Sequence, residues 1–446
     1  GGTVALASGA TQTGFGRTGT VDWQTGSIKT ATFTAANGEG YFCNTSGGAF
    51  TVNLPAGSAG AIVSLADYAA TWQTNNVTVT PNGTDKIGSL NENATLSTEG
   101  QSVTFVFVDS TQGWINTMDS TSNVRGAPPF IVATGGTILT CGNFKTHIFT
   151  GPGTFCVSSA GLGTPTSPSK IDYLVVAGGG GSGGFGPDTG GGGAGGFRAS
   201  NSYSLPSPET SPVVSPAGLT ATVASFPITV GAGGAGTTGG CSAGCSGANS
   251  IFSTITSAGG GGGGNYSGVL GIAGGSGGGS STNCGVGAAG NTPPVSPAQG
   301  FAGGNGSGAI GPGSNPVHRA SGGGGGAAAV GANGGPGGGG DGGVGAYVSN
   351  TFFGPTAPSY GETGPVTPTR YFAGGGGGST VGSTPNNGGA GGAGGGGRGT
   401  SSPPATQVNG TAGTVNTGGG SGGGGNGVGS PFAGGSGIVV IRYQFQ

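Results

Sequence analysis

Charged residues are scarce in this chain of 446 residues: eleven Lys and Arg and thirteen Asp and Glu give a formal net charge of −2. The few cations are scattered and form no basic patch, which argues against nucleic-acid binding. No apolar run approaches the roughly 18 residues that a membrane-spanning helix needs, so no membrane insertion is predicted. Apolar residues never recur with a sustained 3.6-residue period, so almost no α-helix is expected.

Groups that bind metals or perform catalysis are also few, with two His and six Cys. Cys241, Cys245 and Cys284 are spaced as in some metal sites, but both histidines are distant in sequence, so small free thiols are favoured over a metal site. Disulfides between Cys141 and Cys156, or between Cys241 and Cys245, are left open because connectivity does not follow from sequence.

No pattern marks an active site. The acids after Ile171 are isolated in sequence, and nothing indicates a Ser-His-acid triad. Gly178-x-Gly180-x-x-Gly183 follows a predicted strand, as in dinucleotide-binding folds, but another glycine run follows where that fold needs a helix. We therefore predict neither an enzyme nor a cofactor.

Glycine is present in excess, and 92 of the 117 glycines lie in the 276 residues from Ile171 onward. They lack the Gly-X-Y repeat of collagen, which excludes that triple helix. Strand-like apolar runs at Ile171–Ala177 and Ile438–Tyr443 frame the region, which a flexible linker does not need. Between them lie short glycine blocks, including Gly190–Gly193, Gly259–Gly264, Gly322–Gly326, Gly374–Gly378, Gly394–Gly397 and Gly422–Gly425.

These blocks predict a bundle of polyglycine II helices. Such a helix has three residues per turn and no internal hydrogen bonds. Its backbone groups must therefore bond to neighbouring helices, because buried polar groups need partners. Only residues without a Cβ allow backbones to approach that closely. The segments between the blocks are then turns and loops.

The chain divides into five predicted segments. Runs of alternating apolar residues with turn signals and three Trp predict a β-domain before the glycine-rich half. A Thr150–Gly153 turn predicts a hairpin of Phe144–Phe149 with Thr154–Ser158. The segments are an arm or connector (1–20), a compact antiparallel β-domain (21–122), a linker (123–129), a β-hairpin cap (130–170) and the polyglycine II domain (171–446).

Six stretches carry a resemblance to a known family: Gly38–Phe42, Leu96–Gln101, Gly151–Phe155, Asp172–Gly180, Gly190–Arg198 and Gly434–Tyr443. With them the sequence resembles bacteriophage tail-fibre proteins, especially those of phages that infect cyanobacteria and other aquatic bacteria. The glycine-rich half is also similar in design to the tip adhesins of T-even-type phages, although the β-domain at 21–119 differs from theirs. The resemblance implies a virion protein that recognises a bacterial surface through loops between its glycine helices.

The loops hold the candidate binding residues, because aromatic side chains with Arg or Asn suit sugar faces and protein hot spots. For Phe301 and Phe372, packing against the bundle edge is favoured over binding. We expect the loop Tyr347–Tyr360 to be replaceable without loss of stability. The candidates are Tyr203, Tyr266, His318, Arg319, Tyr347, Phe352, Phe353 and Tyr360.

The leading hypothesis is a phage adhesin without catalytic activity, located in the virion and extracellular after release. Its expected partners are a bacterial surface receptor (a glycan or an outer-membrane protein), other virion proteins and, as an open possibility, further copies of itself. The alternatives are a structural subunit of an extracellular filament and an ice-binding protein. The irregular spacing of the blocks disfavours the latter.

Overall fold

The computed structural model describes residues 21–120, 130–165, 168–184, 188–205, 211–238, 242–266, 268–282, 285–307, 318–336, 338–382, 387–401, 408–425 and 431–446. The predicted arm (1–20) and linker (123–129) lie outside these ranges. The chain forms two compact units, residues 1–126 and 127–446. The described structure is mostly β, which confirms the predicted fold class, and its helices are two short 3-10 turns, Asn350–Phe352 and Gly354–Ser359.

The described part of the first unit, residues 21–120, contains nine strands in two sheets. One sheet has the order β1-β3-β5-β8-β9 and the other β2-β4-β6-β7. The strands are β1 (Asp22–Trp23), β2 (Phe33–Thr34), β3 (Glu39–Cys43), β4 (Phe50–Asn53), β5 (Ile62–Asp67), β6 (Val77–Thr80), β7 (Ala94–Leu96), β8 (Ser102–Phe107) and β9 (Trp114–Ser120).

The strand directions in this unit correct the antiparallel prediction. Strands β1, β3 and β5 pair in parallel, as do β2, β4 and β6, and antiparallel pairs begin with β6–β7 and β5–β8. From β1 to β6 the chain alternates between the two sheets. Turn signals show where a strand ends but not which sheet the next strand joins, so sequence alone did not reveal the crossovers.

Two of the three tryptophans form the predicted core. Trp72 and Trp114 are fully buried among aliphatic residues of both sheets. Trp23 is 39% exposed and stacks on Phe42, with ring centroids 4.9 Å apart, so it lies at the margin of the unit.

The second unit begins with two further sheets and carries two small strand pairs, β20–β23 and β21–β22. Its strands are β10 (Ile131–Thr134), β11 (Thr137–Cys141), β12 (Phe144–Phe149), β13 (Gly153–Ala160), β14 (Lys170–Val176), β15 (Phe197–Ala199), β16 (Leu219–Thr220), β17 (Ala224–Thr229), β18 (Ser250–Phe252), β19 (Ile255–Ser257), β20 (His318–Ala320), β21 (Ala346–Ser349), β22 (Thr369–Phe372), β23 (Thr380–Gly382) and β24 (Ile438–Gln444).

The predicted hairpin of β12 with β13 is wrong. Strand β12 pairs with β11 and β24, whereas β13 pairs with β10 and β17. The turn at 150–153 thus carries the chain from one sheet to the other. Phe149 and Phe155 on either side of it are both buried in the core between the sheets. Two strands show the same alternation of apolar residues whether the turn between them forms a hairpin or carries the chain to another sheet. The sequence therefore could not distinguish the two.

Strands β14 and β24 are the centre of the unit, and they pair antiparallel as adjacent strands. One face, with Val175 and Ile441, packs against the second sheet. The other face, with Leu174 and Val440, packs against Phe352, Phe353 and Phe372. Burial on both faces explains why both runs are apolar without alternation.

The glycine blocks form helices of three residues per turn. Along residues 178–182, donors three positions apart bond to the same neighbouring segment, and donors in between bond to different segments. Gly178 and Gly181 donate to Ala248 and Cys245, Gly179 and Ser182 to Gly435 and Phe432, and Gly180 to Gly193. A period of three with no bond inside the segment is the geometry of polyglycine II.

The segment 189–196 lies inside the bundle and has six neighbours. Its N–H groups donate to the segments 258–264, 322–325 and 418–421. Its carbonyl groups accept from 177–180, from 276–279 and from Gly376. Most backbone polar groups of this segment are thus used in lateral bonds, which satisfies them in the interior of the bundle.

Close approach forces glycine at these inner positions. A Cβ on Gly324 would lie 2.0 Å from the carbonyl oxygen of Gly192, and real Cβ atoms essentially never approach within 3.0 Å. In contrast, a Cβ on Gly335 would meet nothing within 4 Å.

We predict that Gly324→Ala lowers the free energy of unfolding by about 3 kcal/mol or more, because a rigid carbonyl has to move. The matched control Gly335→Ala should change it by no more than about 0.5 kcal/mol. Thermal and denaturant unfolding of the full chain measures both. Equal effects of the two variants would contradict close backbone packing as the reason for glycine.

Candidate functional site

The glycine helices have two ends, which differ in what they carry. The sheet end is where they join β14, β15 and β24. The loop end is the opposite one, where Gly184 and Asp188 lie. At about 3.1 Å per residue, the run from Gly178 to Gly184 separates the two ends by about 20 Å.

The aromatic segment 346–372 lies at the sheet end. Phe352 is 2% exposed and Phe353 is fully buried, so neither presents a surface to a receptor, which corrects their inclusion as contacts. Phe372 is buried in the same cluster, as predicted, whereas Phe301 is half-buried. Because Phe352 and Phe353 belong to the core, we expect replacement of this loop to destabilise the unit, in contrast to the expectation from sequence.

Of the three tyrosines in this segment, Tyr347 and Tyr360 are half-buried and Tyr371 is buried. The Tyr360 ring stacks on Phe353 with centroids 5.2 Å apart, and the Tyr347 ring lies 5.0 Å from that of Tyr371. Arg370 fixes the segment by donating from Nε to the Tyr360 carbonyl and from Nη2 to the Gly361 carbonyl, both at 2.6 Å. These side chains are therefore fixed by contacts within the fold and do not project freely into solvent.

Tyr203 is also at the sheet end. Its hydroxyl donates to the Lys170 carbonyl at 2.7 Å and accepts from the Gln444 amide at 3.3 Å. Its ring meets Phe144 edge-on. Tyr203 thus ties β14 to the end of β24.

Two of the predicted binding residues come together at the loop end, where they form what we call the loop-end cluster: Asp188, Tyr266, Thr282 and Arg319. Each stands where a glycine helix begins or ends, and the pairing of β20 with β23 places Arg319 there. The Arg319 guanidinium lies over the Tyr266 ring, 5.3 Å from its centroid. His318 is the neighbour of Arg319 in β20, and its side chain lies outside the described structure.

Asp188 is the buried acidic member of the cluster. Its Oδ2 accepts from Thr282 Oγ1 at 3.2 Å and lies 3.5 Å from Arg319 Nη1. Its Oδ1 is buried and has no hydrogen-bond partner among the described residues. The carboxylate is fully buried, whereas the Arg319 side chain is 31% exposed. The pair therefore links the interior of the bundle to its surface.

Burial dominates the electrostatics of this pair. It raises the pKa of Asp188 to about 6, against the opposing effects of Arg319 and Thr282. The hydrogen bond with Tyr266, followed by the charge of Asp188, raises the pKa of Arg319, so that side chain stays cationic. The loop end thus holds a permanent cation beside an aromatic ring.

This arrangement suits binding rather than bond chemistry. A cation over a ring is attracted to it, and together they offer a flat surface of mixed character. Within the described ranges, no three His, Cys, Asp or Glu side chains are placed to hold a metal ion. The segment 178–183, with its Gly-x-Gly-x-x-Gly spacing, is a glycine helix and opens no α-helix.

The cysteines that the structure describes are all unpaired: Cys43, Cys141, Cys156 and Cys245. This rules out the two disulfides left open by the sequence, because each would need one of these thiols. Cys141 and Cys156 lie in different sheets. Cys241 and Cys284 fall outside the described residues.

Sequence reasoning missed Asp188 and Thr282 as site residues. Asp188 stood out only as an isolated acid. Its contacts lie 94 and 131 residues further along the chain, so no local spacing signals them.

The chain belongs to the glycine-rich domain family, whose model matches residues 157–444. The matched region begins within β13 and ends with β24, so it covers the glycine bundle and much of the sheets that frame it. No curated protein matches the chain. Among the described residues, no helix is long and apolar enough to cross a membrane.

We predict that the buried Asp188 carboxylate makes stability depend on pH. Its folded pKa of about 6 is above the ordinary value of 3.8, so the folded state holds the proton more tightly. The protonated Asp188 carboxyl contributes to the free energy of unfolding. This contribution is fully present below about pH 4 and is lost as the pH rises through about 6, a decrease of up to about 3 kcal/mol. Asp188→Asn should remove this loss when unfolding is followed from pH 4 to 8.

The comparison is between the variant and the wild type, because other groups titrate in the same range. Burial lowers the pKa of His147, which contributes a slope of the opposite sign at and below its ordinary value of 6.5. Asp341→Asn, which removes an exposed carboxylate from the same bundle, is the matched control. A pH profile of Asp188→Asn that coincides with the wild-type profile would refute the assignment.

Proposed function

We propose that this protein is a phage tail-fibre or adhesin protein that recognises a bacterial surface receptor, a glycan or an outer-membrane protein. Its location is the virion, and other virion proteins are its structural partners. The sequence resemblance to tail-fibre proteins and to T-even-type tip adhesins supports this, as does a bundle of glycine helices that carries loops at one end.

The observation that carries the proposal is the loop-end cluster. Arg319 and Tyr266 are partly exposed at one end of a scaffold whose inner positions are mostly glycine, where a Cβ would collide with neighbouring backbone. Aromatic and arginine side chains dominate binding energy in protein interfaces. They also present large contact areas at low rotamer cost. Placed at an end of a rigid bundle, they have the geometry of a contact surface.

The scaffold explains how such a surface can vary. Hydrogen bonds within the bundle are made by the backbone, so they do not depend on the sequence of the loops. Loops on a rigid frame are the usual location of binding residues in proteins. A change in receptor preference then requires changes in loops alone.

Binding of the labelled full chain to a panel of aquatic bacteria, including cyanobacteria, tests the proposal. Once a strain that binds is found, Tyr266→Ala should reduce binding about tenfold or more, because it removes an aromatic contact. Arg319→Lys should reduce it less, since it keeps the charge and loses the planar stacking group. Both variants leave Asp188 in place.

Lys29→Ala is the matched control. Lys29 also lies over aromatic rings, 5.2 Å from the centroid of Phe33, but in the first unit. Its loss should leave cell binding unchanged. Cell binding that is insensitive to both loop-end variants would refute the cluster as the contact. Filament formation by the purified chain would instead favour a structural subunit, and thermal hysteresis an ice-binding protein.

A further inference from the structure

A pocket of about 420 Å³ opens at the outer end of the sheet that contains β24. It lies between the β11–β12 turn and the first 3-10 turn, far from the loop-end cluster. Its lining residues are Cys141, Gly142, Asn143, Phe144, Thr351 and Arg442. Neither the proposed receptor contact nor the packing of the bundle makes use of it.

Arg442 is the unusual member of this lining. The residue is only 3% exposed. Its Nε and Nη1 atoms are buried and find no hydrogen-bond partner within the described part of the chain. A buried guanidinium that lacks partners costs free energy, because it gives up hydration without replacing it.

Aromatic rings hold the guanidinium in place. Its carbon lies 3.6 Å from the Phe144 ring centroid, 5.5 Å from that of Phe352 and 5.8 Å from that of Tyr203. Contacts of this kind fix the orientation of the side chain without using its N–H groups. The cation is therefore preorganised at the wall of the pocket.

The nearest acidic residue does not neutralise this cation by direct contact. Asp172 is directly opposite Arg442 in the sheet and acts on it electrostatically. Nevertheless, no ion pair within 4.0 Å joins the two side chains in the described structure. Asp172 Oδ1 accepts from Ser200 Oγ at 2.7 Å and from the Ser202 amide at 2.8 Å, and its Oδ2 is buried without a hydrogen-bond partner among the described residues.

We propose that this pocket binds a carboxylate-bearing ligand of monosaccharide size, with its negative charge held against the Arg442 guanidinium. A guanidinium is well matched to a carboxylate in charge and in planar geometry. The polar side chains of Asn143 and Thr351 lie at the exposed rim, where the hydroxyl groups of a sugar acid would meet them. The proposal is independent of the receptor contact at the loop end.

Cys141 provides a probe within the wild-type protein. Its thiol lines the pocket and is partly accessible, so a bound ligand should slow its alkylation by iodoacetamide. Cys245 is exposed on a glycine helix and serves as the internal control. Glucuronate should protect Cys141 and not Cys245 when alkylation is followed by mass spectrometry. Glucose, of the same size and uncharged, should protect neither.

The outcomes of this experiment separate the possible ligands. Protection by glucose equal to that by glucuronate would overturn recognition of charge. Protection by sulfate or phosphate without protection by glucuronate would overturn the sugar-acid class and identify an inorganic anion site. Absence of protection by all probes would overturn the pocket as a binding site.

Two variants test the role of Arg442 by calorimetry with glucuronate. Arg442→Gln should weaken binding about tenfold or more, since it removes a charge-assisted interaction. Arg198→Gln, in strand β15 of the same sheet and outside the pocket, is the control. If Arg442→Gln does not fold, Asn143→Trp fills the pocket from its exposed rim and should abolish binding. Unchanged affinity in a folded variant at either pocket position would refute the proposal.

Discussion

The bundle depends on one constraint: backbones must approach so closely that no Cβ fits between them. The polyglycine II helix makes no hydrogen bonds of its own, so all its N–H and C=O groups face neighbours. With three residues per turn, successive donors point to three different neighbours, as residues 178–182 show. Lateral bonding in three directions turns separate short segments into one array. Ordering glycine costs more backbone entropy than ordering any other residue, and the satisfied bonds and dense packing of the interior offset that cost.

The array is held at one end by two strands that are far apart in sequence. Strands β14 and β24 pair along their length and are buried on both faces. The first glycine helix leaves β14 at Ala177, and the last one enters β24 at Gly437. A slip in the pairing of the two strands would move apolar side chains out of both cores, so their register is strongly specified. That register in turn aligns Gly178 and its neighbours with the segment that ends at Gly437.

Much of this architecture could be predicted from sequence because its cause is local. Glycine blocks framed by apolar runs are explained by few structures other than a bundle of glycine helices. Turn signals such as Pro81–Gly83 fall between strands, as predicted. Strand direction and sheet membership could not be predicted, because the crossovers from β1 to β6 depend on contacts between residues far apart. Phe352 and Phe353 look the same in the sequence whether their rings pack in a core or contact a receptor. They belong to the core because they lie at the sheet end of the bundle. The candidate site was found only in part, since Arg319 and Tyr266 stand out by type whereas Asp188 does not.

A scaffold made of backbone has a consequence for where charge can lie. The inner positions of the described bundle hold mainly Gly, with some Ala and Ser, so ionisable groups lie at the ends of the helices, at exposed positions such as Asp341 and in the sheets. Three of them are buried without complete hydrogen bonding: Asp188 at the loop end, and Asp172 and Arg442 at the sheet end. Each lowers stability, because a buried charge is rarely repaid in full by its partners. The bundle can bear that cost, since its hydrogen bonds do not pass through these side chains. Strain at functional sites is commonly supported by the rest of a structure in this way, which is consistent with the two binding proposals, at the loop-end cluster and at the Arg442 pocket.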